Sequence, residues 1–183
     1  MRAPASIETA RLVLRRPTDA DVEPMFERYA SDPEVTRFVG WPTHESVDDT
    51  RLFLEFAHAE WDRWPAGPYV IASRDDGSIV GSTGLAFETS YRAATGYVLS
   101  RSAWGRGYAT EALEAVTALA PTLGVQRLYA VCHVDHRASA HVLEKCGFLR
   151  EGTLQSYAEF PNLAPGVAAG VFCYAKVFGS TGA

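Results

Sequence analysis

The sequence predicts an α/β fold, classed as α+β in some schemes, in which helices flank one mixed sheet. Hydrophobic residues make up 47% of the chain, which suits a globular core rather than a disordered segment. Short apolar segments have the composition of strands, and helical segments lie between strands in the second half. A chain of 183 residues is expected to form a single domain, covering residues 1–183.

Composition and charge argue against several classes of function. No apolar run reaches the roughly 18 residues of a membrane helix, and the N-terminal segment lacks the apolar core of a signal peptide. Cys132, Cys146 and Cys173 are too few for a disulfide framework, so we expect a reducing, cytoplasmic location. The net charge of −5 argues against non-specific nucleic-acid binding. We therefore expect neither nucleic acid nor membrane as a partner.

The N-terminal third predicts one strand followed by two helices. In the segment 10–18, Leu12 and Leu14 alternate with polar residues, as in a strand. Two helix starts follow, each marked by a capping residue and an acidic residue three positions later. These pairs are Thr18 with Asp21 and Ser46 with Asp49. The apolar positions expected in the second helix are Val47, Phe53, Leu54 and Phe56.

The middle of the chain predicts four strands. Residues 69–73 form the first, and residues 74–87 read as two strands joined by a turn at Asp76 and Gly77. Residues 94–100 form the fourth.

The C-terminal half alternates helices with strands. A helix is expected over Tyr108–Ala120, with one apolar face and an end at Pro121, and a strand over Arg127–Val134. A short helix then ends at Gly147, and a last strand starts at Val171. The apolar side of the short helix is expected to carry Ala138, Val142, Leu143 and Cys146. The predicted order is β-α-α-β-β-β-β-α-β-α-β.

The stretch WGRGYATEA, Trp104 to Ala112, places two glycines at the mouth of a helix. A helix start exposes about four unpaired N–H groups and the positive end of the helix dipole. Gly105 and Gly107 carry no Cβ, so an anion such as a pyrophosphate can approach the backbone. The alternative is that these glycines only turn the chain. Neither a dinucleotide-binding G-x-G-x-x-G nor a Walker loop is present.

Two motifs in this order resemble the GNAT superfamily of N-acetyltransferases. The Q/R-x-x-G-x-G/A signature of the family lies at Trp104, Gly107 and Ala109. A second block, N-x-x-S followed by E-K-x-G-F, lies at His136, Ser139, Glu144, Lys145, Gly147 and Phe148. The segments ETARLVLRRPTDAD and FVGWPTHESVDDT also resemble the branch that acetylates N-terminal amines of ribosomal proteins and related small amines. The resemblance extends over nearly the whole chain.

The resemblance implies acetyl-CoA as cosubstrate. We expect no metal, because His133, His136 and His141, with Asp135, are spaced across a strand–helix junction and do not make a convergent set of ligands. The resemblance also implies a GNAT fold, with a mostly antiparallel sheet in which two parallel strands splay apart. The segments Tyr97–Leu99 and Tyr129–Val134 are expected to border that split. The implied coenzyme-binding residues are Tyr97, Val98, Leu99, Trp104, Gly105, Arg106, Gly107, Tyr108, Ala109, Thr110, His136, Ser139 and Lys145.

The chain departs from the family pattern at three places. Trp104 replaces Gln or Arg, and His136 replaces the Asn that commonly contacts the pantetheine arm. The third departure is the absence of a carboxylate immediately before Gly96, where many relatives carry a catalytic Glu; Ala93, Ala94 and Thr95 stand there.

Amine acetylation needs a base for the substrate ammonium and a proton for the leaving thiolate. By resemblance Ser139 is the candidate proton donor, and its alternative role is a helix cap. The candidate bases are Glu88, His136, Tyr157 and Glu159, and a neutral amine that needs no dedicated base is a further alternative.

The resemblance also suggests where the acceptor binds. The loop FVGWPTH from Phe38 is expected to line the acceptor site, chiefly through Trp41 and His44. Glu88 is expected at its rim. Tyr157 and Glu159 are expected in a loop before the last strand, where this branch often places substrate contacts.

Three hypotheses for function follow. The first is an N-acetyltransferase that moves an acetyl group to a primary amine, on a protein N-terminus or a small molecule, as a monomer or homodimer. The second is a coenzyme-binding sensor or interaction module that has lost its chemistry. The third is a nucleotide-binding protein unrelated to acetylation.

Overall fold

The computed structural model describes residues 1–179, and within them eight strands form one mixed sheet in the order β1-β2-β3-β4-β5-β6-β8-β7. Every neighbouring pair is antiparallel except β5 and β6. The strands are β1 Ser6–Glu8, β2 Leu12–Arg15, β3 Pro68–Ser73, β4 Ile79–Phe87, β5 Arg92–Leu99, β6 Arg127–His133, β7 Leu149–Glu159 and β8 Ala168–Val177.

The helices cover both faces of the sheet. They are α1 Val22–Met25, α2 Pro33–Thr36, α3 Val47–Arg63, α4 Tyr108–Leu119 and α5 Arg137–Lys145. Val70 and Ile71, consecutive in β3, belong to different core clusters because neighbouring side chains of a strand point to opposite faces. Ile71 shares its cluster with α4 and α5, whereas Val70 packs with the segment around α1 and α2.

The parallel pair β5–β6 is short. Pairing covers only Arg92–Ala94 against Arg127–Tyr129. Beyond this point β5 stays paired with β4 as far as Leu99, and β6 stays paired with β8 as far as His133. A gap therefore opens between the carboxyl halves of two strands that are each held on the outer side. This geometry confirms the splayed parallel pair that the family resemblance implied.

Three expectations about the strands were wrong. The strand β1 was not predicted. The middle segment holds three strands rather than four, because Asp75–Ser78 is the turn between β3 and β4, closed by the Ser73 N–H donating to the Ser78 carbonyl over 2.9 Å. Tyr157 and Glu159 lie in strand β7 rather than in a loop. That strand is at the edge of the sheet and its side chains are mostly exposed on both faces, so no apolar alternation marks it.

The predicted helix starts agree with the structure better than the predicted helix lengths and buried positions do. Ser46 and Asp49 form the predicted reciprocal cap of α3. The predicted first helix is instead broken into a 3₁₀ turn, α1, a π turn and α2, with Pro33 starting a new helix. Phe56 of α3 is 53% exposed, and in α5 Ala140 rather than Ala138 is buried, so those two apolar positions were wrong.

Candidate functional site

The gap between β5 and β6 is bordered by the segments expected to flank it. Side chains of β5 alternate between the faces of the sheet: Tyr97 and Leu99 pack with the cluster of α4 and α5, and Val98 packs on the opposite side. The backbone edge of Thr95–Leu99 that faces the gap has no strand partner in the described part of the chain. An extended ligand can therefore pair with this edge as an added strand would.

Both glycines of the loop after β5 need their special backbone freedom. Gly105 has φ +71° and Gly107, the N-cap of α4, has φ +77°, in the left-handed region that other residues rarely adopt. The indole N–H of Trp104 donates to the carbonyl of Leu99 over 2.8 Å, which fixes the loop to the end of β5. The loop therefore places its backbone at the open end of the gap.

The loop and the first turn of α4 form an array of free donors. From Gly105 to Thr110, six consecutive backbone N–H groups donate no hydrogen bond to any residue within 1–179. Four such groups belong to any helix start, and the positive-φ glycines extend the array into the loop. Such an array, next to the positive end of a helix dipole, suits a diphosphate.

Arg11 contacts the glycine loop and the first turn of α4, and the sequence did not indicate it. Its guanidinium donates to the carbonyl of Arg106 over 2.7 Å and to the carboxylate of Glu111 over 2.7 Å, so it ties the loop to the first turn of α4. Arg11 and Arg106 also lie 4.8 Å and 4.7 Å from the ring centroid of Tyr108. Because Arg11 is about 100 residues from these partners, no local motif could have indicated the contact.

Ser139 and Tyr97 meet across the gap. The phenol of Tyr97 donates to the carbonyl of Ser139 over 2.9 Å, and its oxygen lies 3.0 Å from the Ser139 hydroxyl. Burial raises the pKa of Tyr97, so its phenol stays protonated at neutral pH. The thiol of Cys132 lies beside them and burial raises its pKa to about 11, so it is not a thiolate at neutral pH.

His136 lies at the N-terminus of α5 within an aromatic cluster. The ring of Phe38 stacks on it at 4.6 Å, and Phe38 also contacts His133 at 5.2 Å. Phe160 packs edge-on against His133 at 5.0 Å. Burial, with a smaller contribution from His133, lowers the pKa of His136 below 6.5, so its imidazole is neutral at neutral pH.

Glu88 lies at the closed end of the gap. Tyr129 stands directly opposite Ala94 in the parallel pair, and its phenol donates to one oxygen of the Glu88 carboxylate. The other oxygen accepts from the Arg92 guanidinium over 2.6 Å. Each oxygen of Glu88 therefore accepts one hydrogen bond, and together the two bonds hold the carboxylate at the closed end of the gap.

The remaining predicted residues lie apart from one another. Tyr157 is half exposed on β7, and one oxygen of Glu159 accepts from the N–H of Gly166, so Glu159 orders the loop between β7 and β8. Trp41 contacts the ring of His44 at 4.9 Å, and His44 Nδ1 lies 2.7 Å from the Thr50 hydroxyl. Burial lowers the pKa of His44.

Lys145 ends α5 beside α4. Its neighbour Cys146 contacts the carbonyl of Thr110, and Lys145 and Lys176 border an open cavity of about 320 Å³ along α4. Because Glu114, Thr117 and Pro121 line the same cavity, Lys145 lies beside the C-terminal half of α4 rather than at the donor array.

Within the described residues, no three His, Cys, Asp or Glu side chains are arranged to hold a metal ion. Over the same part of the chain, no helix has both the length and the apolar character of a membrane span.

Comparison with known proteins identifies the family. The family model described as the acetyltransferase (GNAT) domain matches residues 11–149. The chain belongs to the GNAT acetyltransferases. The uncharacterized N-acetyltransferase YoaA of Bacillus subtilis (strain 168) is 32% identical over 154 residues, which cover 82% of this chain and 86% of that protein. GNAT acetyltransferases use acetyl-CoA as cosubstrate, which confirms the cosubstrate expected from the sequence.

Solved structures of GNAT acetyltransferases share the fold. The microcin C7 self-immunity acetyltransferase MccE, solved with acetyl-CoA and AMP, has a TM-score of 0.84 at 21% identity, covering 96% of this chain and 98% of that one. RimL, the ribosomal L7/L12 α-N-protein acetyltransferase solved with coenzyme A in a disulfide with one of its cysteines, has a TM-score of 0.82 at 22% identity, with coverages of 94% and 98%.

The stacking of Phe38 on His136 leads to a test by NMR titration. Phe38→Ala exposes the imidazole to water, so the pKa of His136 is expected to rise toward 6.5 because its charged form becomes better solvated. The matched control is Phe56→Ala, which removes an exposed ring on α3 and should leave the midpoint unchanged. An unmoved midpoint in the Phe38 variant would show that this ring does not bury His136.

Proposed function

We propose that this chain transfers the acetyl group of acetyl-CoA to a primary amine, on a protein N-terminus or a small molecule, by direct attack in a ternary complex. The observation that carries the proposal is the array of free N–H groups at Gly105–Thr110, placed where the gap opens. The array can hold the diphosphate, while the free edge of Thr95–Leu99 lies along the path to the closed end.

The coenzyme contacts follow from this placement. The pantetheine arm pairs with the β5 edge at Tyr97–Leu99, and the diphosphate accepts from the backbone of Gly105–Thr110. Arg106 lies in the exposed loop, where a cationic side chain can meet the nucleotide phosphates, and Lys145 would reach the nucleotide only from beside the C-terminal half of α4. Trp104 acts through its hydrogen bond to Leu99, which keeps the loop in position.

Ser139 supplies the proton to the leaving group. The amine nitrogen attacks the thioester carbonyl carbon, the C–S bond breaks, and the thiolate takes a proton from the Ser139 hydroxyl. The proton that the attacking nitrogen loses as the amide forms restores that hydroxyl. The phenol of Tyr97, which lies 3.0 Å from that hydroxyl and donates to the Ser139 carbonyl, keeps the Ser139 side chain in position.

His136 is the group best suited to accept the proton of the substrate ammonium. Its imidazole is neutral at neutral pH, whereas the Glu88 carboxylate is already ion-paired with Arg92 and hydrogen-bonded to Tyr129. The Glu88–Tyr129 pair instead offers a polar contact for the acceptor at the closed end. This assignment accounts for a site without a carboxylate at Ala94.

The acceptor binds on the face opposite α4 and α5. Ala86, Ala94 and Gly96 have small side chains or none and share this face, so they leave room above the sheet. Trp41, on the loop between α2 and α3, and Tyr157, on β7, border the same side.

We place the protein in the cytoplasm, where its three free thiols stay reduced and acetyl-CoA is supplied. Residues 1–183 act as one N-acetyltransferase domain, as a monomer or a homodimer.

Gly107→Asp tests the diphosphate site. The new carboxylate caps the free N–H groups and repels the diphosphate, so acetyl-CoA affinity should fall about 100-fold or more. Gly77→Asp is the matched control, since Gly77 has a similar φ of +70° in an open turn between β3 and β4. Calorimetric titration measures both. Equal affinities of Gly107→Asp and wild type would contradict the assignment.

Ser139→Ala tests the proton donor. We expect kcat to fall about 100-fold, at the low end for a positioned acid, with acetyl-CoA affinity unchanged. The control is Ser102→Ala, which changes an exposed serine. Steady-state kinetics with an N-terminal serine peptide or spermidine decides the role. If kcat is retained, Ser139 serves only the packing of α5.

A further inference from the structure

Two loops distant in sequence meet on the acceptor face of the gap. One is residues 37–44, between α2 and α3, and the other is residues 160–167, between β7 and β8. We call them the acceptor-side loops. Gly40 of the first loop lies beside the end of β7, since a Cβ placed on Gly40 would be 3.9 Å from the Glu159 carbonyl oxygen.

Asn162 joins the two loops through its side-chain amide. Its Oδ1 accepts from the backbone N–H of Thr43 over 2.8 Å and from the Thr43 hydroxyl over 3.1 Å. Its Nδ2 donates to the carbonyls of Thr36 over 2.7 Å and Trp41 over 2.9 Å. Two donor hydrogens and two acceptor positions are all that a carboxamide offers, so its hydrogen-bonding capacity is used in full.

The bridged loop is anchored to both sides of the gap. Its N-terminal end follows α2, which packs on β5. Two residues after α2, Phe38 stacks on His136 and contacts His133, which belong to the β6 side. The second loop reaches the same cluster through Phe160. The acceptor-side loops therefore span the gap on the face where the acceptor binds.

We propose that Asn162 is a positioning residue for the acceptor amine, acting through the acceptor-side loops. It holds Trp41 and Phe38 in place over the gap, and through Phe38 it fixes the imidazole of His136. This inference rests on the proposed acetyl transfer and adds that acceptor recognition, but not coenzyme binding, depends on a bridge between residues 119 to 126 positions apart.

The bridge has no local substitute. Residues 36–43 keep internal contacts, such as the Thr36 and Thr43 hydroxyls 2.5 Å apart, but none of these reaches the second loop. Removing the carboxamide leaves the Trp41 carbonyl and the Thr43 N–H without their partner, whereas the Thr36 carbonyl keeps the N–H of Val39. The two freed groups then favour conformations that expose them to water. The donor array at Gly105–Thr110 has no contact with this bridge.

The test compares Asn162→Ala with wild type in four measurements. We expect KM for an N-terminal serine peptide or spermidine to rise at least tenfold, while the Kd of acetyl-CoA stays within twofold. Amide hydrogen exchange over residues 37–44 should quicken in the variant, and the global unfolding midpoint should show that the fold persists. A substitution that only destabilises the fold would change the Kd of acetyl-CoA and the KM of the amine together.

Two variants sharpen the comparison. Asn162→Asp keeps an acceptor for Thr43 but places a carboxylate oxygen against the carbonyls of Thr36 and Trp41, so its KM is expected to rise at least as far as that of Asn162→Ala. Leu149→Ala changes a leucine outside both loops whose side chain is 75% exposed, and it should leave all four measurements unchanged.

The outcomes separate this proposal from the proposed function. If the wild-type protein acetylates neither acceptor, the proposed function fails for these amines, and hydrogen exchange over residues 37–44 still decides whether Asn162 couples the loops. Unchanged exchange in Asn162→Ala overturns the inference. So does quickened exchange with an unchanged amine KM, because the loops would then move without affecting the acceptor.

Discussion

The candidate coenzyme and acceptor site depends on one interruption in the strand pairing of the sheet. After Ala94 and Tyr129, β5 and β6 stop pairing, although β4 and β8 continue to hold them from outside. The unpaired backbone edges of a central strand pair are costly unless water or a ligand satisfies them. Among residues 1–179, the gap therefore leaves backbone N–H and C=O groups without a strand partner, and the same groups can bind a ligand. The loop after β5, the N-terminus of α5 and the acceptor-side loops all take their position from the gap.

The two faces of the gap serve different parts of the proposed reaction. On the face of α4 and α5, backbone donors and the Tyr97–Ser139 pair are placed for the coenzyme and its leaving group. On the other face, aromatic side chains and a neutral His136 border the acceptor. Backbone N–H groups carry no sequence signature beyond the glycines that expose them, so we expect coenzyme binding to tolerate Trp104 in place of the family residue.

Local chemistry was predictable from the sequence, and contacts between distant segments were not. The glycine loop, the start of α4 and the Ser46–Asp49 cap follow from short-range steric and capping rules, and the structure shows them. Strand β7 escaped prediction because an exposed edge strand needs no apolar alternation. Asn162 was not predicted because its partners lie more than a hundred residues away in the sequence. The hydrogen bonds to the two oxygens of Glu88 could be seen only once the fold had placed Tyr129 opposite Ala94.

The most direct test of the account is a pair of calorimetric titrations of the wild-type protein, one with acetyl-CoA and one with S-acetylpantetheine, which lacks the diphosphate. If the free N–H groups of Gly105–Thr110 hold the diphosphate, acetyl-CoA binds at least about 100-fold more tightly, since several charge-assisted hydrogen bonds are lost with the truncated thioester. Equal affinities, or no binding of acetyl-CoA, would contradict the claim that this loop and helix start form the coenzyme site.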